Sequence, residues 1–231
     1  MSLTAVREQI IACNRCERLR TYCLRVAAEK KAAHRDDVYW GRPVPGFGDP
    51  RARVLVIGLA PAAHGANRTG RVFTGDGAGG SSDFLMRAMH AAGFANMPIS
   101  RHPHDGLRLT DAYIAATVRC APPANKPTTA EIAACHAHLS AEFSALPHVR
   151  VVVALGGIGF DAALRLLAER GTVWRPKPGF GHGRVCSMPG APVLIASYHP
   201  SRQNTNTGVL TQRMLASVFR KAARLVNGAP Q

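Results

Sequence analysis

Two loops in this chain carry side chains suited to chemistry. The first spans Gly58 to Gly80 and reads GLAPAAHGANRTGRVFTGDGAGG, between the apolar run RVLVIG and the helix-like SSDFLMRAMHAAGF. A glycine-rich loop between strand and helix often cradles a phosphate. This one is too long for that and lacks the P-loop pattern G-x-x-x-x-G-K-[ST]. It holds Phe73, Arg68, Arg71, His64 and Asp76 instead, and Asp76 is the only carboxylate between Asp49 and Asp83. A carboxylate set among glycines can orient or activate a water molecule and stabilise nearby positive charge. The second loop, SYHPSRQNTNTG, runs from Ser197 to Gly208 and sets His199 just past an apolar run. In an open α/β sheet, ligands collect at the carboxyl ends of the strands. His199 and the Gly58 loop are therefore expected to face one cleft.

The cysteines offer a different chemistry. Cys13 and Cys16 stand in CNRC at the end of an expected N-terminal helix, while Cys120 lies in VRCAPP and Cys135 in AACHAHL. One tight turn supplying two thiolates, with two more brought in by the fold, can close a four-thiolate site. Zinc and iron–sulfur clusters both accept it. Cys23 and Cys186 fall outside the pattern and read as ordinary small residues.

The elements that must position these groups alternate. Short apolar runs at Ala52–Gly58, Val149–Gly156 and Pro192–Ser197 read as strands buried on both faces, and DAYIAATVRC leans to strand. Helices are expected at Ser82–Ala92, Phe160–Arg170 and Val209–Val226. Another starts at TTAEIAACHAHL, where Thr128 and Glu131 spell a capping box. The last helix is expected to bury a stripe of Leu210, Met214, Val218 and Leu225. Segments Glu29–Asp49 and Arg101–Gly106 read as surface loops. Together these imply one three-layer α/β/α domain over residues 1–231, built on a central, mostly parallel four-stranded sheet.

Composition narrows the partner. Lys and Arg number 29 against 14 Asp and Glu among 231 residues, a formal net charge of +15. That excess points to a polyanion, nucleic acid before membrane. No apolar run approaches the ~20 residues of a membrane span. The start MSLTAVREQIIACNRC has no signal-peptide pattern, so a cytoplasmic location with reduced or metal-bound cysteines is expected.

GLAPAAHGANRTGRVFTGD, the cysteine set, RCAPPANKPT and HPSRQN together resemble the uracil-DNA glycosylase superfamily, in its type-b branch (family 5), from Cys13 to about Leu210. The resemblance implies a repair enzyme that flips uracil and other deaminated bases, hypoxanthine among them, out of double- or single-stranded DNA. It hydrolyses the N-glycosidic bond and leaves an abasic site. A monomer acting on nucleoid DNA is expected. The resemblance assigns Cys13, Cys16, Cys120 and Cys135 to a [4Fe–4S] cluster. Phe73 would stack on the flipped base, with Gly58 and Ala60 lining the pocket and Asn125 at the base edge. His199 would donate to the departing base, and Asp76 would act on water. Ser201 and Asn204 belong to a loop entering the duplex, with Arg202 or Gln203 available to fill the vacated position. Arg68, Arg71 and Lys126 are candidates for phosphate contacts. Where related type-a enzymes carry an asparagine against uracil, this chain has Ala116. The readings set against this one are a Rossmann-like nucleotide enzyme and a non-catalytic iron–sulfur DNA-binding or redox-sensing protein. The latter leaves Phe73, Asp76 and His199 without a task.

Overall fold

A computed structural model describes residues 1–77 and 79–228; Ala78 and the last three residues of the expected domain lie outside the described residues. Four apolar runs form parallel strands: β2 (Val54–Gly58), β3 (Ala112–Ala116), β4 (Val151–Leu155) and β6 (Val193–Ser197). Two short antiparallel strands, β1 (Phe47–Gly48) and β5 (Val185–Cys186), extend the sheet to the order β1-β3-β2-β4-β6-β5. The expected four strands thus form the centre of a six-stranded sheet. Two residues are too few to leave a periodic signal, which is why the edge strands were not legible.

Alternation along the strands divides the core. Val54, Val56, Ile114, Val153 and Ile195 face one side with α4 (Ser81–His90) and α8 (Gln212–Asn227). Leu55, Ile57, Ala115, Val152 and Leu194 face the other, against α5 (Thr129–Ser144) and α6 (Gly156–Ala168). Burial on both faces explains the unbroken apolar runs. In α8 the buried face is Leu215, Val218, Phe219, Ala222 and Val226; of the expected stripe, Val218 and Leu210 just ahead of the helix are buried, Met214 is half-buried and Leu225 is exposed. The helix α6 begins at Gly156 rather than near Phe160, because its glycine-rich first turn disguised it. The capping box of Thr128 and Glu131 starts α5.

CNRC joins two helices, α1 (Leu3–Ile11) and α2 (Glu17–Glu29). The second buries Leu19, Cys23 and Val26 on one face. With Val118, Cys120, Ala121 and Cys135 it forms a small separate core. Residues 39–46, expected as surface, are mostly buried, with Val44 N–H donating to the Arg119 carbonyl at 2.7 Å.

Candidate active site

The chain leaves β2 toward α4 on one face and leaves β4 into α6 on the other. β2 and β4 are neighbours, so their carboxyl ends open a crevice between them. Two glycines floor it. A Cβ on Gly58, the last residue of β2, would lie 2.8 Å from the Phe73 ring; one on Gly156, just past β4, would lie 3.2 Å from the His199 Cβ. Phe73 and His199 therefore lean over the two strand ends, with ring centroids 6.0 Å apart and planes tilted by 31°. Phe73 is held at φ 47°, a left-handed conformation costly for an aromatic residue. Such strain persists where surrounding contacts fix it and often accompanies function.

Asp76 follows in the same loop. Its Oδ2 accepts the Ser82 N–H at 3.3 Å. Its Oδ1 packs so closely on Gly65 that an alanine Cβ there would sit 1.9 Å away, and Gly80 flanks its Cβ and carbonyl. Burial raises its pKa to about 6, against the Ser82 N–H and Arg202, while Asp83 raises it further. Burial also lowers His199 to about 4, so the imidazole is neutral at neutral pH and carries one N–H for donation.

The residues after His199 have local tasks. Ser201 caps the short helix α7 (Arg202–Asn206) by accepting the Asn204 N–H, and Asn204 Nδ2 donates to the His199 carbonyl at 2.9 Å. Arg202 Nη2 donates to the Asp76 carbonyl at 3.0 Å, joining the two loops.

Two of the expected phosphate-contacting arginines are committed elsewhere. Arg71 is buried, pairs with Asp105 at 2.7 Å and donates to Thr74 and Ser100. Arg68, in α3 (Ala66–Thr69), pairs with Asp37 at 2.6 Å and donates to the His64 and Gly75 carbonyls. Both brace the Asp76 loop. His64 meets the Tyr39 hydroxyl at 2.9 Å. Lys126 remains exposed. Asn125 is exposed in a tight turn at φ 57°, next to Ala124 at φ 52°. Ala60 packs against the cysteine core rather than Phe73.

That core gathers three of the four expected cysteines, Cys16, Cys120 and Cys135, and Cys13 acts electrostatically on Cys16. Burial raises the Cys135 thiol to about 11 and, with Cys120 and Cys13 beside it, raises Cys16. Thiols so placed stay protonated unless a cation replaces the proton. The Arg119 N–H donates to Cys135 Sγ at 3.2 Å, and the buried Arg119 Nε and Nη1 have no partner among the described residues. Buried thiols beside unpartnered N–H donors fit an electron-rich iron–sulfur cluster. No three His, Cys, Asp or Glu side chains among the described residues converge as a single-ion site. Sequence reasoning set Cys23 aside, yet its thiol lies against Cys120 and, with burial, holds Cys120 well above the usual thiol range. Its place on the buried face of α2, seven residues after Cys16, was the available signal.

A family model for the Uracil DNA glycosylase superfamily matches residues 45–223. A Type-5 uracil-DNA glycosylase of Thermus thermophilus is 49% identical over 97% of this chain and 99% of its own length. One from Mycobacterium bovis is 49% identical over 97% of this chain and 82% of its own. A Type-4 uracil-DNA glycosylase of Pyrobaculum aerophilum is 28% identical over 79% of this chain and 81% of its own.

Proposed function

The chain belongs to the uracil-DNA glycosylase superfamily, and from that premise we propose how its crevice removes a base from DNA. It is a DNA-repair glycosylase that excises uracil. The flipped base stacks on Phe73, where the ring beside Gly58 offers a flat apolar face. His199 donates its single N–H to the base oxygen that gains charge as the N-glycosidic bond breaks. Asp76, ionised above about pH 6, orients a water toward the sugar carbon and stabilises the oxocarbenium-like charge there. The water oxygen bonds to that carbon, its proton passes to Asp76, and the base leaves with the glycosidic electron pair. The products are free base and an intact abasic strand. No lysine stands in the two loops that carry Phe73, Asp76 and His199 to form a Schiff base.

The observation that carries this reading is a half-buried, neutral His199 imidazole leaning with Phe73 over the two strand ends, with the half-buried Asp76 carboxylate in the same loop as Phe73. A non-catalytic DNA-binding protein has no use for that arrangement. The four cysteines fit a [4Fe–4S] cluster, which would supply a cross-link between the N-terminal helices and the segment after β3, with no part in hydrolysis. The enzyme works as a monomer on nucleoid DNA in the cytoplasm. No helix among the described residues is long and apolar enough to cross a membrane.

Hypoxanthine is a further substrate. Ala116 ends β3 in register with Gly58 of β2, and its side chain offers a base edge no donor or acceptor. An apolar wall discriminates by only about 1–3 kcal/mol, whereas a hydrogen-bonding one rejects poor partners far more strongly. Incubation with uracil- and hypoxanthine-containing oligonucleotides, followed by alkaline cleavage, should break both strands at the lesion. Ala116→Asn should favour uracil. Equal rates on both lesions before and after the change, or a borohydride-trapped adduct, would count against these assignments.

A further inference from the structure

Asp76 and His199 come from loops far apart in sequence, and one short helix touches both. From α7, Asn204 Nδ2 holds the His199 carbonyl at 2.9 Å, and Arg202 Nη2 holds the Asp76 carbonyl at 3.0 Å. We infer that Arg202 is a positioning residue for Asp76: its hydrogen bond ties the loop after β2 to α7 and holds the two catalytic side chains as one unit across the crevice. The inference rests on the reading of Asp76 as the group that orients water.

Three observations support it. Asp76 lies between Gly75 at φ 81° and Gly77 at φ 82°, so its neighbours do little to restrict the backbone. Gly65 and Gly80 confine the side chain sterically, but the carbonyl direction is fixed by Arg202 from a distant element. The charged groups acting on the Asp76 carboxylate are Arg202 from α7, Arg68 from α3 and Asp83 from α4; Asp83 itself pairs with Arg101 at 3.1 Å. Burial keeps the carboxylate near pH 6 despite the two cations. Without Arg202, the Ser82 N–H and Arg68 would be left to oppose burial and Asp83, and the carboxylate would ionise at higher pH.

The competing role for Arg202 is the one expected from sequence, a side chain that enters the duplex. Single-turnover uracil excision at saturating enzyme, measured across the acid limb with the full chain, separates them. Arg202→Met should lower the plateau rate by about tenfold, the scale of a modest misplacement of a reacting group, and move the limb to higher pH. Arg202→Lys should return the limb toward its original position by restoring charge, without restoring the plateau. Arg202→Gln serves as a second neutral variant if the methionine protein is insoluble. Weaker DNA binding with unchanged saturated rate and unchanged limb would overturn the inference. Asp76→Asn is the reference: if it keeps the wild-type rate and limb, the reading of Asp76 fails first. If it is inactive while neutral Arg202 variants behave as wild type, only the role of Arg202 falls.

Discussion

The crevice and the cysteine lobe both bury ionisable groups, and they treat them in opposite ways. Beside the lobe, Arg119 and Glu142, each only 1% exposed, pair at 2.5 Å. Glu142 also accepts the Gly46 N–H at 2.8 Å and the Tyr113 hydroxyl at 3.1 Å. Glu131 is gripped by Arg18 through two hydrogen bonds of 2.8 Å while it completes the cap of α5. In the crevice, the Asp76 carboxylate accepts one long backbone bond, and Arg202 reaches its carbonyl rather than its side chain. The lobe uses its charges to hold structure. The crevice holds charge that structure does not neutralise, at a cost in stability, because chemistry needs it there.

The largest expected effect falls on the lobe. Glu142→Ala strands a buried guanidinium and two further donors, a loss of about 3–5 kcal/mol for a broken buried pair. Denaturant unfolding should show it, and a loss below about 1 kcal/mol, the level of an exposed pair, would erase the contrast. Next in size, Asp76→Ala and His199→Ala should each slow single-turnover excision about ten- to a thousandfold. Neither should lower the unfolding free energy appreciably. Gly65→Ala should follow Asp76→Ala, because its Cβ would occupy the place of Oδ1.

The pH dependence gives a sharper test. Asp76 has a folded pKa near 6, raised from 3.8, so the native state holds a proton that the unfolded chain releases between those values. Its burial therefore destabilises the fold progressively as pH rises through that window. Asp76→Asn should stabilise the protein by up to about 3 kcal/mol at neutral pH, with the gain vanishing as pH falls below the unfolded carboxylate value. A variant no more stable at pH 7 than at low pH, relative to wild type, would show that Asp76 is not held against solvation.

The smallest effect belongs to Cys23, set against the much larger one at Cys13. Cys13→Ala should abolish the visible absorbance of a bound cluster, together with solubility. Cys23→Ala should keep the absorbance and cost about 1 kcal/mol, as for a small side chain removed from a packed site. Loss of colour in the Cys23 variant would make the thiol beside Cys120 part of the cluster's binding.

The amino-acid sequence encodes in its local pattern the layered α/β fold, the four central strands and the capped α5, because burial on both faces and a helix start leave local marks. It also determined the family and the two loops that carry Phe73, Asp76 and His199, since glycine-rich loops at strand ends are informative where they stand. Tertiary structure decided what those residues touch. Arg68 and Arg71, which look available to phosphate, are consumed by Asp37 and Asp105 from distant segments. Cys23 meets Cys120 because α2 packs on the segment after β3. The left-handed Phe73 and the closeness of Gly65 to Asp76 arise from chain crossings that no local pattern encodes. Local propensities are read along the chain, whereas the partner of a buried charge and the depth of a carboxylate depend on residues far away in sequence. The state of Asp76, on which the proposed chemistry turns, is therefore a property of the assembled crevice alone.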